Sequence, residues 1–475
     1  MRANRTRPAG LHTRTAAVLL SASLGAFSPL TAAAQTGSDL SWAPPPVNMS
    51  LLPNDPGQPD KQYDKKKDCV QRDPNSNIKI QDRPWGQSYL QIEQAQKLVQ
   101  AGKGSVGGGL TVAVIDTGVT KHAYLNVDGG GDYVHPDNGT QDCDGHGTEV
   151  AGIIAADTPP NIGFKGVAPD AKIISIRQTS QNYATQDQQS GAKQGSREQG
   201  DGAGNLNTLA QAVVHAANRG DIAVINMSID NCRSADIPMS PQERALQAAV
   251  HFAVEQKNIV VVAAAGNTSE TCKQNDDANK PRSIVSPPWF ADDVLSVAAI
   301  QEDGSVAPFS VHGPWVSVAA PGTNITSLDP ADVGSTELAN QVVEGGKPGP
   351  IQGTSFAAPY VAGLAVLVRQ QFPNLNARQV MRRIEVTAQH PGAPGGRDQY
   401  IGYGVVNPVA ALTAIVPAEE GVAPAAAKQL PSGLPPAAHK DWTPAIVALA
   451  GTGGGLVVLL VTLFVVRTIR RNRPA

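Results

Sequence analysis

The sequence predicts an α/β domain, layered around a mainly parallel central sheet, with one C-terminal transmembrane helix. Three observations predict it. Apolar, β-branched runs such as 112–116 (VAVID) and 259–263 (IVVVA) lack polar alternation, as strands buried on both faces require. Small and apolar stretches of helical length alternate with them, as at 150–156 (VAGIIAA) and about 356–371. Near the end, 446–466 is a run of 21 residues without a charge, enough at 1.5 Å per residue to cross a bilayer of about 30 Å.

Taken in chain order, 1–34 reads as a signal peptide. Arg2, Arg5, Arg7 and Arg14 precede an apolar core at 16–27, and Ala32, Ala33 and Ala34 offer a small-residue cleavage site. Residues 35–83 are rich in Pro, Asp, Lys and Asn and read as an extended N-terminal extension wrapped on the following domain. Residues 84–414 form the expected main domain of roughly 330 residues, a size that suits one large core. Within it, 179–205 is a polar loop insertion between the strand AKIISIR and a helix over 207–218. Residues 415–444 are Pro/Ala-rich and read as a semi-rigid linker. The transmembrane helix is expected at 445–467, with a basic tail at 468–475. Arg467, Arg470, Arg471 and Arg473 place that tail in the cytoplasm by the positive-inside rule, and the rest of the chain outside.

Charge and composition exclude several classes. A net charge of −3 with no basic stripe gives no reason to expect nucleic acid, and no nucleotide-binding glycine loop is present. No cofactor and no metal are expected. Cys69, Cys143, Cys232 and Cys272 all fall in the exported part, and an even count there reads as two disulfides with three pairings open. No CxxC spacing favours a metal site instead.

Three segments carry chemistry. Asp116 ends the strand TVAVID, His146 lies in GHGT before a helix, and Ser355 follows Gly353-Thr354 before another. A serine hydroxyl is a poor nucleophile until a histidine takes its proton, and that histidine needs a carboxylate to orient and stabilise it. Ser355 at a helix start also sits beside unpaired backbone N–H groups. A fourth segment, 258–267 (NIVVVAAAGN), ends in Asn267, whose amide is placed to donate to an oxyanion. Asp144, two residues before His146, reads as a turn or capping residue, and the remaining histidines as surface or packing groups.

These segments, in this order, resemble the subtilisin-like (S8) serine peptidases over about 84–414. DTG, HGTxVAG, AAAGN and GTSFAAPxVAG all occur as the family has them. The resemblance implies a subtilisin-like three-layer fold and a triad of Asp116, His146 and Ser355, with Asn267 as oxyanion donor. It implies that Ser228, Ile229 and Asp230, with Ala264, Ala265 and Gly266, line the subsites before the scissile bond of a peptide or protein substrate. Asp230 stands where the family usually has glycine. The same resemblance puts Cys232 and Cys272 beyond strands that end on one side of the sheet. That pairs them and leaves Cys69 with Cys143. Calcium sites are common in the family, but no loop of closely spaced carboxylates supports one here. Signal peptide, short extension, peptidase domain, linker and single C-terminal helix together resemble the mycosins. That resemblance implies a single-pass membrane peptidase whose partner is a type VII secretion membrane complex. It also leaves room for a mainly structural part in that complex.

Overall fold

Six largely apolar runs and the glycine-rich segment Val127–Asp132 become the strands of one sheet. In chain order they are β1 (Thr111–Asp116), β2 (Val127–Asp132), β3 (Lys172–Arg177), β4 (Ile222–Met227), β5 (Val260–Ala264), β6 (Leu295–Ile300) and β7 (Val318–Pro321). The computed structural model describes residues 42–71, 78, 80–186, 202–344, 347–421 and 443–471. The expected signal peptide, the centre of the polar insertion and most of the linker lie outside them. The sheet order is β7-β6-β5-β4-β1-β3-β2, and every neighbouring pair is parallel. Asp116 at the end of β1 aligns with Arg177 of β3, and Ile115 with Met227 of β4. The chain leaves β1 toward β2 and β3 on one side and builds β4 to β7 on the other. The carboxyl end of β1 is therefore the switch point where open parallel sheets open a crevice.

β1, β5 and β6 are buried at every position. Such strands need cover on both faces, and helices supply it. They include α1 (Ile92–Lys103), α2 (His146–Ala155), α3 (Leu206–Asn218), α4 (Pro241–His251), α5 (Thr354–Gln371) and α6 (Ala377–Val386). α3 opens on a capping box of Asn205 and Thr208, and α4 on one of Ser240 and Glu243 with Pro241 in its first turn. α5 lies across β4 to β7 and against α2. Its small residues allow that close approach, since a Cβ on Gly363 would meet Val167 at 2.5 Å. Burying each of Leu364, Leu367 and Val368 in α5 contributes about 1.5–3 kcal/mol.

The extension carries only one short 3-10 turn and a two-residue strand among its described residues. It lies on the catalytic unit as an extended strap. The Trp42 and Pro45 carbonyls accept from Trp289 Nε1 at 2.7 Å and Gln247 Nε2 at 2.8 Å. Asp55 accepts from the Tyr133 hydroxyl at 2.6 Å and pairs with His215. Asp64–Lys65 pairs antiparallel with Tyr183–Ala184, at the start of the polar insertion. A disulfide joins Cys69 to Cys143, three residues before His146. The second disulfide, Cys232–Cys272, stands on a ribbon that pairs Asn231–Ser234 with Ser283–Ser286.

The chain from Pro417 onward forms a separate unit. Its helix α7 (Thr443–Arg471) extends past the expected 445–467 at both ends. The segment Ala445–Arg471 has 27 residues and is long and apolar enough to cross a membrane.

Candidate active site

The site forms at the carboxyl edge of the sheet, where β1 and β5 end and α2 and α5 begin. β1 delivers Asp116, which is fully buried. Its Oδ1 accepts from the Thr117 N–H at 2.7 Å and from His146 Nδ1 at 2.7 Å. Among the described residues its Oδ2 has no hydrogen-bond partner, so the ring of His146 is the main side-chain group answering this carboxylate. His146 is the first residue of α2 rather than part of the loop before it, because Gly145 in a left-handed conformation starts the helix four residues before the expected 150. A close approach brings α2 to β1. A Cβ on Gly147 would lie 2.0 Å from the Gly118 carbonyl oxygen and 3.1 Å from Asp116 Cβ, so only glycine fits. Burial opposes charge on the His146 ring. The charge and hydrogen bond of Asp116 outweigh it, with further pull from Glu149 and Asp142, and the ring is pushed up to about 9.

Ser355 stands in the first turn of α5, which begins at Thr354 rather than at the expected 356. Its neighbour Phe356 packs against the His146 ring, with centroids 5.1 Å apart. Pro359 within α5 has no N–H to take the Ser355 carbonyl four residues back. Ser228 Oγ donates to that carbonyl instead, at 2.7 Å. A proline that weakens the helix thereby ties the nucleophile's turn to the end of β4.

Asn267 lies past the end of β5, which closes at Ala264, so Ala265, Gly266 and Asn267 form the exit from the strand. Its amide oxygen accepts from the Thr354 N–H at 3.0 Å and from Thr354 Oγ1 at 3.2 Å. That fixes the flip of the amide and turns Nδ2 the other way. A point one bond above Gly353 lies 3.6 Å from Asn267 Nδ2 and 3.7 Å from the Ser355 nitrogen. Both nitrogens thus lie close to one position beside Gly353, the arrangement from which two donors can serve a developing oxyanion.

The sequence profile of the subtilase family matches residues 107–404, most of the catalytic unit. Mycosin-1 of Mycobacterium tuberculosis is 42% identical over 431 residues, covering 88% of this chain and 92% of that protein. The crystal structure of MycP1 from Mycobacterium smegmatis superposes with a TM-score of 0.69 at 40% identity, over 82% of this chain and 99% of that one. A chain in the structure of an intact ESX-5 inner membrane complex gives 0.69 at 37% identity, over 90% and 100%. The chain belongs to the subtilase family of serine peptidases, among the mycosins.

In this subtilase a further carboxylate matters, and it is not the one the sequence singled out. Asp142 is buried and takes four donors: Thr117 Oγ1 and the Gly145 N–H at 2.8 Å, the Thr148 N–H at 2.8 Å and Thr148 Oγ1 at 2.6 Å. Thr117 Oγ1 in turn accepts from the Gly147 N–H at 2.9 Å. Asp142 thereby clamps the His146 loop onto the residue next to Asp116. Burial raises its carboxyl to about 6 despite these donors. Asp144, expected as a turn or cap, does something else. It accepts from Ser180 Oγ and from the Gln181 N–H at 2.7 Å, holding the base of the polar insertion. The DCDG spacing signalled a turn, but only the packing tells which aspartate faces inward. Glu149, one turn along α2 from His146, is also buried, and burial raises it to about 8. Ser228, Ile229 and Asp230 leave β4 beside Ser355, and Ala264, Ala265 and Gly266 leave β5 beside Asn267. Among the described residues no group of three or more His, Cys, Asp or Glu side chains is arranged to hold a metal ion.

Proposed function

We propose that the catalytic unit of this subtilase is an endopeptidase that works through Asp116, His146 and Ser355. Ser355 Oγ attacks the scissile carbonyl while His146 Nε2 takes its proton. Asp116, hydrogen-bonded at Nδ1, holds the ring and stabilises its charged form. The Ser355 N–H and Asn267 Nδ2 receive the oxyanion. Collapse passes the proton from His146 to the leaving amine, and water repeats the sequence to release the acyl group. The convergence of Asn267 Nδ2 and the Ser355 nitrogen on one space is the observation that carries this reading.

Purified protein should be labelled on Ser355 by a serine-directed fluorophosphonate and should cleave peptides. The Ser355→Ala variant should lose turnover by about 10⁶-fold, the scale on which subtilisins lose it when the nucleophile goes. An adduct elsewhere, or equal labelling of His146→Ala, would overturn the assignment.

The setting supports a single-pass membrane protein. Residues 445–467 span, 468–475 face the cytoplasm, and 84–414 stand outside on the linker 415–444, with 35–83 strapped on the peptidase domain. Two disulfides suit that compartment. Similarity to a chain of the intact ESX-5 inner membrane complex supports a type VII secretion complex as partner, and the proposed substrate is a secreted protein. The same similarity favours a second reading, in which the chain mainly stabilises that complex. Comparing a Ser355→Ala strain with a full deletion separates them. Equal loss of secretion makes catalysis the main role, and secretion retained only by Ser355→Ala makes it the scaffold.

A further inference from the structure

Two segments flank the nucleophile, and both are tied to the first turn of α5. Ser228 Oγ donates to the Ser355 carbonyl and accepts from Asn226 Nδ2 at 3.0 Å, which holds the segment leaving β4. Gly266, one residue before Asn267, donates its N–H to Thr354 Oγ1 at 3.2 Å, which holds the segment leaving β5. A substrate residue whose carbonyl meets Asn267 and Ser355 sends its side chain between these segments. The space beside Gly266 is already taken. A Cβ there would lie 2.9 and 3.1 Å from the two methyl carbons of Val285, and 3.1 Å from Asp230 Oδ2. Carbon atoms pack at about 3.5–4.0 Å, so not one further carbon fits. Val285 is fully buried, and its β-branched side chain is stiff. It pairs with Cys232 in the ribbon braced by the Cys232–Cys272 bond, and its carbonyl accepts from the Trp289 N–H at 2.8 Å. It packs with Cys272 and Val311, and the Val311 N–H donates to the Gly266 carbonyl at 2.9 Å. The valine that fills the gap and the glycine that borders it therefore belong to one braced unit.

We propose that Val285 is a specificity-determining residue that restricts the substrate to a small side chain, that of glycine, alanine or serine, at the position whose carbonyl Ser355 attacks. This rests on the catalytic reading above. A larger side chain would have to displace two methyl groups from a packed ribbon, and close-packed interiors resist added volume. The exclusion acts by volume rather than by charge, so aromatic, basic and acidic side chains are refused alike.

The test uses four otherwise identical peptides with Ala, Phe, Lys or Glu at that position, and the wild-type, Val285→Ala and Val285→Gly proteins. Labelling of each protein on Ser355 by a small fluorophosphonate shows that its site is formed. Wild-type kcat/KM should favour Ala over each of the other three by about tenfold or more. Val285→Ala should raise the Phe-to-Ala ratio, and Val285→Gly should raise it further, by about tenfold or more over the wild type. The wild-type preference is read whether or not the variants fold. A labelled wild type that does not favour Ala, or a Phe-to-Ala ratio unmoved in a labelled variant, overturns the proposal while leaving the catalytic reading standing. Failure of the wild type to label on Ser355 overturns the catalytic reading itself.

Discussion

Of the three aspartate–histidine pairs among the described residues, two show the same residue types doing different things. His146 pairs with Asp116 at the end of β1, and His215 of α3 pairs with Asp55 of the strap. Both imidazoles are 28% exposed, so the difference lies in the carboxylates. Asp116 is fully buried, and one of its oxygens has no hydrogen-bond partner among the described residues. Asp55 retains 16% exposure and shares its charge with the Tyr133 hydroxyl. A carboxylate out of water interacts strongly with the one ring it faces, whereas a hydrated, shared one fastens two segments without much field. The first pair suits catalysis and the second suits fastening.

The largest effect should come from breaking the first pair. Asp116→Asn keeps the shape but presents the wrong partner to Nδ1, and kcat should fall by about 10⁴-fold, with little loss of fold by circular dichroism. A fall of less than about tenfold would mean that the buried carboxylate is not the orienting group. The next test is pH. His146 acts as a base only when neutral, and Asp116 raises its ring to about 9. Activity should therefore be lost as pH falls, with kcat/KM rising roughly tenfold per unit until near pH 9. In Asp116→Asn the residual limb should move down toward the ordinary histidine value of about 6.5. A wild-type limb already flat above pH 7 would break the comparison.

The strap predicts the opposite pattern. Removing residues 35–68 takes away the Trp42, Pro45 and Asp55 contacts but spares the Cys69–Cys143 bond. The melting temperature should fall by about 5 °C or more, while turnover of a small peptide stays within about twofold. A large rise in turnover would make the segment an inhibitor. The smallest effect belongs to Asp55→Asn. Its loss should cost about 1 kcal/mol or less in urea unfolding and leave kcat/KM unchanged. A larger cost would show that the second pair also works as a buried one.

Much of this was legible in the chain itself. Unbroken β-branched runs announced buried parallel strands, and chemistry-bearing residues at their ends announced the site, because period and composition are local properties. The Cys69–Cys143 and Cys232–Cys272 bonds followed from the family likeness of the fold, since spacing alone left three pairings open. The helix starts moved by four residues at α2 and by two at α5, where Gly145 and Gly353 set them.

What only the tertiary structure decided is which polar groups lose their water. Asp142 and Asp144 are near-equals in DCDGHGT, yet one clamps the His146 loop from inside while the other holds the insertion. Pro359 reads as a flaw in a helix until Ser228, 127 positions before Ser355 in sequence, is seen to take up the Ser355 carbonyl it frees. Asp230 reads as a departure from a glycine until Gly266 is found across the cleft from it. A sequence by itself determines which groups are present and what each segment prefers to become. Burial and partners across the fold determine what a charge costs and what it can do, and those depend on contacts that no local window contains.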